Sequence, residues 1–495
     1  MKKLFYILLI VFSFVTWGQK EVAYLNYDPF FEDTVIRPHT SVKPVLNHSN
    51  TAIGWDISKK NKNTNRFLRL FPTANIGFGA AQRTIWNNST RIGVGLGFES
   101  KLGEKVHFRG VLIPSYFSAN HIVLETESIL QNTYFYEPDG GRSFELQPRF
   151  RLSYTPNKYF NCQVGVDQQF IGEGVRSMLL SDYSSPHPFV QLRSRIWKIE
   201  FINLYQFYRE NVATNVRRKY ASTHMLNFQA NKRFQVGIFE SVIFEPKDTA
   251  LNRGYEVEYL NPFLFYRPTE YSIGSQDRLL VGLNLSYQFN KLMFYGQFAL
   301  DEFVLSELIG RTRWWANKYS GQIGFKGKVK INDAQLRYLS ELNFARPFTY
   351  THLSEGTNYG HQGMSLAHPI GANFVESFSD IALIFKNQLS IRTQFMFVQQ
   401  GGLDAGENTT YGADIYQPYT NRPFEYGYFI GANGKHNRAR TSIEINYPII
   451  RKAALIGFIR PAVEFYQFND NPYESMFLFY GGIRTNLWND RSFSF

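Results

Sequence analysis

Between Arg278 and Asp301 the chain reads R-L-L-V-G-L-N-L-S-Y-Q-F-N-K-L-M-F-Y-G-Q-F-A-L-D, and apolar and polar positions alternate through it twice. Val281, Leu283, Leu285, Tyr287 and Phe289 fall on one face of an extended chain, and Gly282, Asn284, Ser286 and Gln288 fall on the other. After a corner at Asn290-Lys291 the pattern restarts, with Leu292, Phe294, Phe298 and Leu300 against Tyr295, Gln297, Ala299 and Asp301. It predicts a hairpin with arms of about ten residues, the length of a tilted strand crossing a bilayer.

The unit repeats from Arg66 onward. Ile92, Val94, Leu96 and Phe98 alternate with Gly93, Gly95 and Gly97, where a helix would carry the cost of three glycines. Phe150, Leu152 and Tyr154 alternate with Arg149, Arg151 and Ser153, and Ile323, Phe325, Val329 and Ile331 with Gly324, Lys326, Lys328 and Lys330. Leu336, Tyr338 and Leu342 oppose Arg337, Glu341 and Asn343, while Leu389, Ile391 and Phe395 oppose Ser390, Arg392 and Gln394.

Short connections at 102–104, 156–158, 231–232, 290–291, 332–333 and 451–452 alternate with long ones near 115–143, 168–188, 209–222, 243–277, 301–318, 345–377 and 400–438. Short periplasmic turns with long extracellular loops are the asymmetry of an outer-membrane barrel. The predicted fold class is therefore all-β: a transmembrane antiparallel β-barrel of about 18 strands over residues 66–495. Within the loops, 301–318 takes on a helical period and reads as a short helix at the barrel mouth. The stretch 344–378 is too long to be structureless, and is expected to fold over or into the lumen.

Upstream of the barrel the pattern differs. Lys2 and Lys3, the apolar run Leu4 to Val15 and then Thr16, Trp17 and Gly18 predict a secretory signal peptide over 1–18. Residues 19–65, with Pro29, Pro38 and Pro44, lack alternation and predict an irregular or partly helical periplasmic segment. No later run approaches the roughly 20 apolar residues of a spanning helix. Export and a barrel together predict the outer membrane of a Gram-negative cell, with outer-membrane lipid as a partner.

Composition adds three points. Aromatic residues make up 17% of the chain, as girdles at both membrane interfaces require. Cys162 is the single cysteine, so no intramolecular disulfide forms, and its strand context makes it a packing residue. The formal net charge is +12, which suits anionic glycans or lipid headgroups, and nucleic acid is excluded as a partner for an exported chain.

The inward faces predicted above carry Arg149, Arg151, Arg193, Lys326, Lys328, Arg337 and Arg392. Such cations either focus a positive potential on an anionic solute or glycan, or pair with lumen acids such as Glu145, Asp301 and Glu341 and fill the interior. The long loops hold Tyr266, Trp314, Trp315 and Tyr359, aromatic faces suited to sugar rings or to an interfacial girdle. His352, His361 and His368 share one loop with Ser354, Glu355 and Ser365, but their spacings fit no nucleophile or zinc motif. The sequence thus predicts no catalytic residues, no metal and no cofactor.

Four segments resemble a known family: G-E-G-V-R-S-M-L-L-S-D (Gly172 to Asp182), S-P-H-P-F (Ser185 to Phe189), L-N-P-F-L-F-Y-R-P-T-E (Leu260 to Glu270) and N-Y-G-H-Q-G-M-S-L-A-H-P-I-G-A-N-F (Asn358 to Phe374). They are similar to the capsule-assembly protein Wzi family, and more closely to its branch that includes the gliding-motility protein RemB. The likeness runs from about Gly77 to the end and includes Asp301-Glu302-Phe303 and Trp314-Trp315. The resemblance implies an eighteen-stranded, largely occluded outer-membrane barrel that performs no catalysis. Its expected role is to support surface polysaccharide assembly or attachment (capsule or exopolysaccharide), gliding motility, or both. Expected partners are an anionic surface polysaccharide and gliding or secretion machinery proteins. The alternative is a channel or transporter for anionic solutes. Nothing in the sequence sets the oligomeric state.

Overall fold

The computed structural model describes residues 41–44, 55–56, 66–82, 86–119, 142–146, 148–212, 215–247, 254–262, 277–403 and 409–485. The expected signal peptide, most of segment 19–65 and Tyr266 lie outside the described residues, and so does the side chain of Glu145.

Eighteen antiparallel strands close into one barrel. The first four are β1 (Arg66–Gln82), β2 (Trp86–Leu102), β3 (Val106–Leu112, continued by Pro114–Ala119) and β4 (Arg142–Leu146, continued by Arg149–Tyr154). β5 (Phe160–Asp167), β6 (His187–Ile196), β7 (Ile199–Val212), β8 (Asn215–Gln229) and β9 (Phe234–Phe244) follow. Next come β10 (Arg278–Phe289), β11 (Leu292–Glu302), β12 (Lys318–Ile331), β13 (Ala334–Ala345) and β14 (Phe374–Phe385). β15 (Ser390–Gln400), β16 (His436–Ile450), β17 (Leu455–Phe468) and β18 (Glu474–Thr485) complete the wall. Each strand pairs with its neighbour in sequence, and β18 closes on β1 from Phe477↔Gln82 to Arg484↔Asn75.

The hairpin β10–β11 shows how the wall is oriented. Its register runs from Val281↔Leu300 to Phe289↔Leu292 around the Asn290-Lys291 corner, where Asn290 takes the left-handed backbone (φ 51°) that a two-residue hairpin turn needs. Phe289 is 51% exposed and Phe294 49%, whereas Asn284 on the opposite face of β10 is 0% exposed. Apolar side chains thus face out and polar ones in, the inverse of a water-soluble sandwich, and a belt of this kind is stable only against lipid.

Two expectations about connections change. The loop expected near 209–222 does not exist, because β7 continues to Val212 and β8 starts at Asn215, leaving a two-residue connection. Segment 19–65 is not irregular where it is described: Val42–Pro44 pairs antiparallel with Gln169–Ile171, and Trp55–Asp56 pairs with Leu70 and Arg69 of β1. In the loop after β11 the helical period is realised as a single turn, α1 (Leu305–Ile309).

The apolar core is inside the barrel. One cluster joins Ile171, Met178, Leu179 and Leu180 to Tyr350, Tyr359, Leu366 and Ala372, and a second joins Val175 and Tyr183 to Met293, Tyr295, Phe378 and Met396. Two long loops, 168–186 and 346–373, contribute the residues that wall strands alone could not place there.

Candidate functional site

Beyond its short strand at Gln169–Ile171, the loop 168–186 runs through the lumen as irregular backbone, which demands a partner for each buried peptide group. Wall side chains supply them. Glu341 on β13 accepts the N–H of Val175 (2.6 Å) and of Arg176 (3.2 Å). Gln297 on β11 accepts from Met178 N (2.8 Å) and donates to Ile171 O (3.0 Å), and Gln322 on β12 donates to Arg176 O (3.0 Å). This close approach explains Gly174, since a Cβ built there would collide with the Glu341 carboxylate.

At the centre of the loop, Arg176 is fully buried against Glu376 of β14 at 3.1 Å, with its guanidinium 4.7 Å from the Phe378 ring and also bonded to Tyr183 Oη. Glu376 accepts further from His368 Nε2 (2.7 Å) and Asn343 Nδ2 (2.8 Å). A buried carboxylate with this many donors stays charged, so the cluster is a satisfied ionic clasp. Burial holds His368 below the ordinary histidine value, against the opposing pull of the Glu376 charge.

The loop 346–373 locks the first loop from the other side. Tyr350 donates to Met178 O (2.8 Å), Tyr359 donates to Leu179 O (2.7 Å), and Ser181 N donates to Leu366 O (2.7 Å). It is held in turn by Arg278, which pairs with Asp301 and donates to Tyr350 O (2.6 Å). Three of the motifs behind the family resemblance, Gly172 to Asp182, Ser185 to Phe189 and Asn358 to Phe374, therefore meet in or beside this double loop.

The candidate lumen cations occupy five settings. Arg149 and Arg151 on β4 both pair with Asp167 (2.7 and 2.6 Å). Arg193 shares Glu200 with Arg195, and Arg392 binds Asp380 (Nε to Oδ2 2.8 Å). Lys326 reaches into the loop, donating to Glu173 O at 2.7 Å with the Glu173 carboxylate at 3.4 Å. Lys328 and Arg337 are half-buried register neighbours toward the 332–333 turn, with Arg337 donating to Gln335 Oε1 (2.9 Å). The acids expected to neutralise these cations have other duties: Asp301 serves Arg278, and Glu341 serves loop backbone.

The loop aromatics separate. Tyr359 is buried beside Tyr350 (5.8 Å, stacked) and cannot meet an external glycan. Trp314 and Trp315 lie in an aromatic cap with Phe348, Tyr411, Tyr419 and Tyr428 at the long-loop end. Arg422 lies 4.0 Å over the Trp315 ring, Lys318 lies 4.2 Å over Tyr419, and Trp315 Nε1 donates to Glu425 Oε2 (2.8 Å). Trp314 remains half-buried.

Sequence reasoning gave Arg176, Glu376, Asp167 and Gln297 no role. A usable signal was present in the alternation of β14, where Glu376, Phe378 and Asp380 share the inward face. An acid at such a position requires a cation from elsewhere, and Arg176 is the only arginine of the loop 168–186. Among the described residues no group of three His, Cys, Asp or Glu side chains is arranged to hold a metal.

No protein-family model matches this sequence, and no curated protein sequence matches it. Among solved structures the fold is similar to that of Wzi, an outer membrane protein involved in group 1 capsule assembly in Escherichia coli and a carbohydrate-binding β-barrel. The TM-score is 0.50 at 13% identity, covering 83% of this chain and 84% of that one. Acinetobacter baumannii OccAB2 follows with TM-score 0.45 at 9% identity over 84% of this chain and 97% of that one. For Pseudomonas aeruginosa OprD the values are 0.41 and 10% over 83% and 94%. At this identity the likeness to Wzi shows the fold, a closed barrel of the outer-membrane type.

Proposed function

We propose that this chain is a non-enzymatic barrel of the Gram-negative outer membrane that holds an acidic surface polysaccharide at its long-loop end. In this reading it supports capsule or exopolysaccharide assembly or, as its RemB-like motifs suggest, gliding. The observation that carries the reading is the double loop, whose peptide groups and charges are bonded to the wall from β10 to β14. A barrel filled in this way is a poor wide pore, and its working surface is the loop cap. The cap offers partly exposed aromatic area at Trp314 and Tyr419 beside the partly exposed Arg422, a combination suited to acidic sugars. The carbohydrate-binding Wzi barrel supports the same reading.

Deleting the protein from its cell is expected to leave polymer synthesis intact while cell-associated polysaccharide or colony spreading falls. Unchanged surface glycan together with unchanged spreading overturns the proposal.

A second reading, an anion channel, draws on β15 to β18. There Arg392 pairs with Asp380 of β14, Arg438 and Arg440 with Glu464, and Arg460 and Arg484 with Glu444, which gathers five cations on one side of the lumen. Stable anion-selective conductance of the wild-type protein in planar bilayers would favour it over the scaffold.

A further inference from the structure

The loop between β11 and β12 leaves the wall with its apolar side chains uncovered. α1 buries none of its residues, and Leu305 and Ile309 are 58% and 73% exposed, with Phe303, Val304 and Leu308 exposed beside them. An isolated helical turn with nothing buried gains no stability from packing, so this surface calls for a partner. Its position narrows the choice. The strand before it, β11, presents Phe294 and Phe298 to the lipid belt, and the patch continues that belt at the long-loop end.

Charge narrows it further. Arg311 and Arg313 follow α1 directly; both are exposed, and both hold left-handed backbone (φ 52° and 57°) that few residues other than glycine adopt readily. Their neighbours are neutralised, Arg422 by Glu425 and Lys318 by Glu302, whereas neither Arg311 nor Arg313 has a carboxylate partner among the described residues. Arg313 lies 5.0 Å over the exposed Phe429 ring, and Phe424 and Tyr426 extend the apolar surface on the second loop. Backbone bonds from Tyr428 N to Arg313 O (3.0 Å) and from Trp315 N to Glu425 O (3.1 Å) fix the two loops together.

We propose that this surface binds an anionic, phosphorylated lipid of the outer leaflet. Leu305, Leu308 and Ile309 enter the edge of the acyl layer, and Arg311 and Arg313 take the headgroup phosphate. An apolar tip followed at once by unpaired guanidinium groups is the pattern of an interfacial anchor, and arginine suits phosphate because its donors form a planar fork. A second copy of this chain is a worse occupant, because twofold packing of the patch on itself brings like cations together.

The test uses the full chain in detergent, titrated in native mass spectrometry with bisphosphorylated lipid A, with its fully dephosphorylated form and with phosphatidylcholine. Lipid A is expected to be retained about tenfold better than the other two. Arg311→Gln/Arg313→Gln and, separately, Leu305→Ser/Ile309→Ser are each expected to lower that retention about tenfold, while Arg451→Gln at the short-turn end leaves it unchanged. All these side chains are exposed, and the folded mobility of each variant on unheated gels confirms an intact barrel. Equal retention by wild type and the double arginine variant overturns the proposal, as does equal retention of the dephosphorylated lipid. A dimer abolished by Leu305→Ser/Ile309→Ser would also overturn it, by assigning the patch to a second copy.

Discussion

Arg176 and Glu376 are 200 residues apart in the chain and meet at 3.1 Å inside the barrel, with neither side chain reaching solvent. One belongs to a loop and the other to the wall, so the pair decides whether the loop stays inside.

Removing one partner leaves a buried charge without its counterpart, a loss of about 3–5 kcal/mol where other such pairs have been broken. Arg176→Met is therefore expected to expel the loop 168–186 while the eighteen-stranded wall remains. Hydrogen exchange should show lost protection over 172–182 but not over β10 and β11, and bilayer recordings should show a larger conductance than the wild type gives. Arg176→Met/Glu376→Leu removes both charges and is expected to recover part of the protection.

Gly174 tests the same closure from the backbone. A methyl group there displaces the Glu341 carboxylate, which accepts Val175 N (2.6 Å) and Arg176 N (3.2 Å). Hydrogen bonds to a charged group are worth about 1.5–3 kcal/mol each. Gly174→Ala is expected to loosen the loop to nearly the extent of Arg176→Met, and the same exchange measurement reads it. Full protection in Gly174→Ala would mean that the carboxylate can yield without releasing the backbone.

The wall was legible in the sequence, and so was the inward folding of the long loop 346–373, but the contacts that fill the lumen were not, for a physical reason. A strand of the wall separates lipid from lumen every second residue, so β10 and β11 declare their faces through Val281 to Leu300. A loop folded into the lumen meets partners set by three-dimensional proximity alone. Nothing local to Gly172-Glu173-Gly174-Val175-Arg176 specifies Glu341 or Glu376. The alternation identified Arg149, Arg151 and Arg392 as inward cations, but their acids, Asp167 at the end of β5 and Asp380 on β14, emerge only from the register of neighbouring strands. Tyr359 shows the limit at one residue: its ring suits a sugar or an interfacial girdle, but the loop that carries it folds into the lumen and buries it beside Tyr350.

At the cap the two tryptophans are expected to behave differently. Trp315 is buried under Arg422 and tied to Glu425, so Trp315→Ala should unfold the cap and lower loop protection. Trp314 is half-buried with ring area to spare. Trp314→Ala is expected to weaken retention of polygalacturonate, an acidic polysaccharide probe, by about 1 kcal/mol, roughly fivefold, with thermal stability unchanged. Co-sedimentation measures the first and the loss of folded gel mobility on heating the second.

Acidification should release the loop 346–373. His352 is held well below the ordinary histidine value by burial, then by the Arg278 and Lys318 cations, and its Nδ1 faces Thr357 Oγ1 at 2.6 Å. His361 is held well below it by burial, then by His187 and Lys219. Both are neutral in place and regain an ordinary value near 6.5 once the loop is free. The free loop therefore binds more protons, so the closed form has its full stability above pH 6.5 and loses it as the pH falls, by up to about 1.4 kcal/mol per pH unit for each histidine. Amide protection over 350–366, corrected for intrinsic exchange, is expected to drop between about pH 7.5 and about pH 5. In His352→Gln/His361→Gln that dependence should flatten. Protection that rises on acidification would contradict the burial of neutral imidazoles in the closed loop.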